Sequence, residues 1–169
     1  MRFASLLVFV LFWPCAWADD WRYSESENPM DGAVSLMAMS PPAFPSDPLP
    51  YPYSDLSAGL VVHCLGGSTT VMLIFPRTRF PLLGTLSGGG IEADVRFKWD
   101  DLIEARLVRE VGNDGDSLWL PNDDGVADLI LQSGSLMVEL PMYRHGNVYF
   151  NFSLSGAAEQ VEKVVNGCF

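Results

Sequence analysis

The chain carries few of the residues that do chemistry. Its 169 residues include two histidines, His63 and His145, three cysteines, and ten basic side chains against 21 acidic ones. No G-x-S-x-G, H-E-x-x-H or C-x-x-C spacing occurs, so the nucleophile elbow, the zinc-protease helix and the dithiol redox pair are all missing. Ser87 to Gly90 reads SGGG without the Lys and Ser/Thr that complete a phosphate loop, and is expected to be a flexible linker. The shortage of positive charge disfavours nucleic acid and anionic lipid as partners, because both present negative surfaces. There is no internal repeat, and no apolar run reaches the roughly 20 residues that a membrane-spanning helix needs.

The longest apolar run, about 14 residues, lies at the start in MRFASLLVFVLFWPCAWADD. Arg2 precedes it and Ala16-Trp17-Ala18 follows it, which is the pattern of a secretory signal peptide over residues 1–18 cleaved after Ala18. Lipidation at Cys15 is the alternative, but Phe12-Trp13-Pro14 lacks the small residues that a lipid-attachment site offers. Residues 19–169, about 150 in number, then form a single mainly β periplasmic or secreted domain with no direct membrane span and a net charge near −12, nine basic residues standing against 21 acidic ones.

Removing the signal leaves Cys64 and Cys168, an even pair in an oxidising space, for which a disulfide is expected and two buried thiols are the alternative. A loop of about a hundred residues closed in this way is worth about 4 to 5 kcal/mol in the chain-entropy description.

Apolar residues alternate at period two through much of the chain. In IEADVRFKWD, Ile91, Ala93, Val95, Phe97 and Trp99 face one way and Glu92, Asp94, Arg96, Lys98 and Asp100 the other, as on a half-buried antiparallel strand. Residues 147–154 repeat the pattern. Further strands are expected at 34–38, 59–65, 69–75 and 135–140, with short ones near 117–120 and 126–131; DDLIEARLVREV (100–111) is ambiguous between strand and helix and is read as strand because its neighbours are strands, and Gly66-Gly67-Ser68 makes a tight hairpin link. Six prolines between Ser40 and Ser57 predict a long, stiff surface connection. At the end, Ser155 is expected to cap a helix whose buried stripe is Ala158, Val161, Val165 and Cys168, and Gly167 to stop it. On strand 59–65, Cys64 shares a face with Leu60 and Val62, so the terminal cysteine reads as a staple between helix and sheet. The fold class is mainly β (α+β): an antiparallel sheet or β-sandwich with a C-terminal helix packed on it.

The remaining polar candidates are weak. His63 points away from Cys64 by strand alternation, and His145 lies in the turn Tyr143 to Gly146. Acidic turns at Asn113, Asp114 and Asp116 and at Asn122, Asp123 and Asp124 suggest calcium, but neither has the twelve-residue loop with its distal Glu, and Asn, Asp and Gly also serve turns directly. No catalytic residue, metal site or cofactor is assigned from these patterns, and the binding residues stay open.

Trp21 followed by SESENPMDG (24–32), LVVHC ending at Cys64, VRFKWD (95–100), LWLPNDDGVADL (118–129) and FNFSLSGAAEQVEKVVNGC (150–168) together resemble the type VI secretion-associated TagO/VasI family of exported bacterial proteins. The resemblance spans nearly the whole mature chain and implies a periplasmic, mainly β accessory protein with paired cysteines and no catalytic residues to carry over. The functional expectation is a non-enzymatic accessory or binding protein with a protein partner in the cell envelope. The rival is an inhibitor or immunity protein whose acidic surface blocks a basic toxin or lytic enzyme; a hydrolase with an unfamiliar site is the third reading.

Overall fold

Alternation along residues 90–99 produces the strand it calls for: Ala93, Val95, Phe97 and Trp99 are buried, while Asp94, Arg96 and Lys98 are exposed. The computed structural model describes residues 20–110, 116–120 and 125–168. The signal segment with Cys15 and the predicted cleavage point lies outside these residues, as do Asn113, Asp114 and Asn122 to Asp124 of the acidic turns. Among the described residues there are ten strands and two helices: β1 (Arg22–Glu27), β2 (Val34–Met39), β3 (Gly59–Leu65), β4 (Ser68–Ile74), β5 (Thr85–Ser87), β6 (Gly90–Trp99), β7 (Leu102–Glu110), β8 (Ser117–Trp119), α1 (Val126–Gln132), β9 (Ser135–Met142), β10 (Gly146–Ser153) and α2 (Ala157–Gly167).

All the strands join one antiparallel sheet in the order β1-β2-β3-β4-β8-β7-β6-β9-β10, with β5 beside β6. The ambiguous segment after Asp101 is strand β7, as its neighbours require. Gly66 and Gly67 form the two-residue β3–β4 turn, both at positive φ, a conformation that costs glycine nothing. The expected linker at Ser87 to Gly90 is instead a second such turn, with Ser87 paired to Gly90 across it.

The proline-rich segment is more than a surface connection. Ser40 and Ala43 continue along β3 through hydrogen bonds to Leu60 and Ala58, and two residues later Pro45 and Ser46 reach the free edge of β10, where the Ser46 amide donates to the Tyr149 carbonyl at 2.9 Å. Proline lacks an amide proton, so it suits an edge that pairs at only a few points. The Trp21 indole, just ahead of β1, donates to the Ser153 carbonyl at 3.1 Å, a second tie between the early chain and β10. The sheet therefore curls so that its two ends share one core, in which Phe75 and Phe80 stack at 4.9 Å and both meet Phe150 edge-on.

The short strand expected near 126–131 is helix α1. Val126 and Ile130, four residues apart, are its buried pair, and α1 packs against α2; the run is too short for its period to separate helix from strand in sequence. In α2 the buried residues are Ala157, Val161 and Val164, so the stripe differs from the expected one: Ala158 is exposed and Val165 is 38% exposed. Ser155 does not cap the helix. The N-cap is Gly156 at φ 79°; at about 100° per residue, the stripe of Ala157, Val161 and Val164 lies roughly 50° round the helix from the expected one. Gly167 is the last helical residue rather than a left-handed stop. A Cβ there would meet Leu36 Cδ1 at 2.6 Å, so glycine lets the helix end lie close against β2.

At the β6–β7 turn Asp100 adopts φ 47°, and its carboxylate accepts hydrogen bonds from the Gly134 and Ser135 amides and the Ser135 hydroxyl. These bonds, the Gly134 amide first, hold its pKa below the ordinary carboxylate value.

Two tests follow from this packing. Val161→Ala and Val164→Ala should each cost about 1 to 3 kcal/mol in urea unfolding, through lost burial and the cavity left behind, whereas Val165→Ala should cost much less. Asp100→Asn tolerates the left-handed backbone but loses the anion. A carboxyl whose folded pKa is depressed contributes stability above its unfolded pKa and loses it as pH falls through the folded value. The variant should therefore melt below the parent at pH 7, with the gap closing as pH is taken below about 4.

Candidate functional site

The outer face of the sheet is chemically divided. On β6 it is charged, with Arg96 paired to Glu139 of β9 and Arg109 of β7 to Glu92, while Ile103, Leu107 and Met137 of β7 and β9 stand exposed among these charges. On β2, β3, β4 and β8 it is apolar: Met37, Val61, His63, Met72, Ile74 and Trp119 line a groove of about 520 Å³, with Asp116 and Ser117 at one end. The cause is local sequence. VSLMAM and STTVMLI place thioethers and an isoleucine on the outward positions, where a one-sided sheet would normally carry polar residues.

The register sets the geometry. Met37 lies directly opposite His63, Val61 opposite Met72, and Met72 opposite Trp119. Side chains at opposite positions on one face sit about 5 Å apart at Cβ. Val61 faces outward yet is only 1% exposed, because its long neighbours cover it. Trp119 is 39% exposed, so part of its ring borders the groove. His63 Nε2 lies 2.8 Å from Ser35 Oγ.

Behind the groove, the inward residue next to His63 is Cys64, bonded to Cys168 with Cα atoms 5.6 Å apart. The strand thus points its imidazole outward and its sulfur inward, as alternation requires, and no thiol stands beside the histidine. His145 is elsewhere, edge-on to Tyr53 of the proline-rich segment at 5.4 Å. Asp116, the one described member of the acidic turns, accepts a bond from its neighbour Ser117. Among the described residues no three His, Cys, Asp or Glu side chains are grouped to hold a metal ion.

A polar cluster lies at the other end of the inner face. Glu104 accepts bonds from Arg106 and from the Trp99 indole, and Arg106 more than Trp99 holds its pKa below the usual carboxylate range. This group satisfies itself. The groove was missed in sequence because its residues come from four strands, and alternation within each strand shows only that Met37 or Met72 leaves the core.

Replacing Cys64 and Cys168 together by Ser should lower the melting temperature, with a loss of up to about 4 to 5 kcal/mol for a loop of this length. Native unreduced protein should take up no thiol label at either position. No family model matches the chain, and no curated protein or solved structure shows significant similarity to it.

Proposed function

We propose that the protein is a non-enzymatic periplasmic accessory protein of a cell-envelope assembly, of the type VI secretion kind that its motifs resemble, and that it binds a protein partner along the β2-β3-β4-β8 groove. The observation carrying this reading is the apolar groove, where methionine, isoleucine and tryptophan side chains from four strands gather, beside a half of the outer face in which charge pairs and single apolar residues are mixed: an apolar patch rimmed by polar residues is what a binding surface presents. A disulfide joining β3 to the C-terminal helix suits an oxidising compartment and fits the signal-like start of the chain. No helix among the described residues is long and apolar enough to cross a membrane.

The test is in-cell photo-crosslinking with a photoreactive residue at Ile74 in the groove and, separately, at Asp94 on the charged half. A discrete adduct with an envelope protein from Ile74 and none from Asp94 is expected. Retention of the chain in the cytoplasm, or equal adducts from both positions, would overturn the reading. Capture of a basic toxin or lytic enzyme would replace it with the inhibitor reading, for which the excess of acidic residues is suited.

A further inference from the structure

Among the described residues two that are not glycine take positive φ. At Asp100 the return is visible, since its carboxylate accepts the Gly134 and Ser135 amides. Arg144, at φ 65° in the β9–β10 turn, makes no side-chain hydrogen bond within the described residues, and glycine would hold the same backbone without the Cβ penalty. A backbone outlier kept at an exposed tip points to use of its side chain. The Arg144 guanidinium lies 5.1 Å from the centroid of the Tyr143 ring. His145 meets Tyr53 edge-on at 5.4 Å, and the Tyr53 amide closes a turn onto the Pro50 carbonyl at 2.8 Å. These contacts put Tyr51 and Tyr53 of the proline-rich segment beside Tyr143, Arg144 and His145. Tyr53 packs against the core, whereas Tyr51 is 91% and Tyr143 52% exposed. Arg79, Arg96, Arg106, Arg109 and Lys163 are each paired with a glutamate, but Arg144 has no carboxylate partner among the described residues. On a chain of net charge −11 it is a local reversal of sign.

We propose that this aromatic pole binds a carboxylate-bearing polysaccharide of the cell-wall type. A sugar ring presents C–H groups on its face and hydroxyls at its rim, and a tyrosine presents an apolar face with a polar tip, so the two match in both respects. Tyr51 and Tyr143 supply the open ring faces. The phenol oxygens of Tyr51, Tyr53 and Tyr143 have no hydrogen-bond partner among the described residues and are free to meet sugar hydroxyls. Arg144 supplies a planar fork of donors, the geometry that suits a carboxylate. The edge contact between His145 and Tyr53 holds the two segments side by side, so the surface is formed before a ligand arrives. A protein interface also uses tyrosine and arginine, but it sets them around a dry apolar centre, which rings with hydrated tips do not provide. None of these residues lines the β2-β3-β4-β8 groove, so the proposal stands apart from the protein partner placed there.

The experiment is co-sedimentation of the full chain with purified, protease-treated peptidoglycan sacculi, and in parallel with chitin, an N-acetylated glycan without carboxylates. Saturable retention on sacculi is expected, weaker retention on chitin, and a loss on sacculi as salt is raised. Arg144→Gly should weaken retention on sacculi by about tenfold, the size of one lost charge-assisted hydrogen bond. The same variant should melt no lower than the parent, because glycine relieves the backbone; a merely structural arginine would not separate binding from melting in this way. Tyr51→Leu keeps an exposed apolar side chain but loses the flat ring and its hydroxyl, and it should also weaken retention without changing the melting temperature. Ile74→Ala, in the groove, should leave retention as it is. Absence of saturable retention would overturn the proposal, as would retention unchanged in folded Arg144→Gly and Tyr51→Leu. Retention seen only on sacculi that have not been treated with protease would overturn it in favour of a protein ligand, and equal retention of parent and Arg144→Gly on both polymers would remove the carboxylate from it.

Discussion

The closure of the sheet is the constraint on which the rest depends. An open antiparallel sheet of this many strands would present two bare edges and an inner face too wide for two short helices to cover. Pro45 and Ser46 meeting β10, with the Trp21 indole on the Ser153 carbonyl, bring the ends together and turn the inner face into one enclosed core. Only then do Phe75, Phe80 and Phe150, which come from distant parts of the chain, pack on one another. The helix α2 fills what closure leaves open below β1 to β3, and the Cys64–Cys168 bond keeps it there.

With the inside filled, the outer face is free to differ from strand to strand. The cross-strand pairs of Arg96 with Glu139 and Arg109 with Glu92 keep the β6 half hydrated around its exposed Ile103, Leu107 and Met137, and each exposed pair adds little to stability. The apolar half on β2, β3, β4 and β8 gains nothing for folding from being exposed, which is why its side chains are the ones that call for a functional reading. The division coincides with the disulfide, since β3 carries the groove's histidine on one side and the bonded cysteine on the other.

What was legible in the sequence follows from the physics of each element. Strand β6 was readable because both of its faces have one clear environment, and β3 because Cys64, Leu60 and Val62 share a face. Strand β1 was not: RYSESE is polar throughout, lies at an edge, and is held by Trp21 and its pairing with β2 rather than by apolar alternation. Strand β5 has three residues and owes its form to the Gly88-Gly89 turn. The error at α1 came from a seven-residue run too short to display a period, and the rotated stripe of α2 from a run in which Ala157, Val161 and Val164 recur at spacings of three and four just as Ala158, Val161 and Val165 do. The groove depended on register among four strands, a long-range property that no single segment carries.

Every tie that completes the core joins an early segment to a late one: residue 21 to 153, 45 to 150, and 64 to 168. The first strands therefore have nothing to close against while the chain is still being made. Unlike a repeat protein, whose early units settle as they emerge, this chain must keep β1 to β4 unfinished until its final twenty residues are available. Its folding is dominated by contacts distant in sequence and is correspondingly slow, with unpaired strand edges exposed in the interval. The order of synthesis makes the C-terminal helix the timing element of the fold, and a truncation that removes only α2 leaves a chain with most of its strands and no means of finishing them.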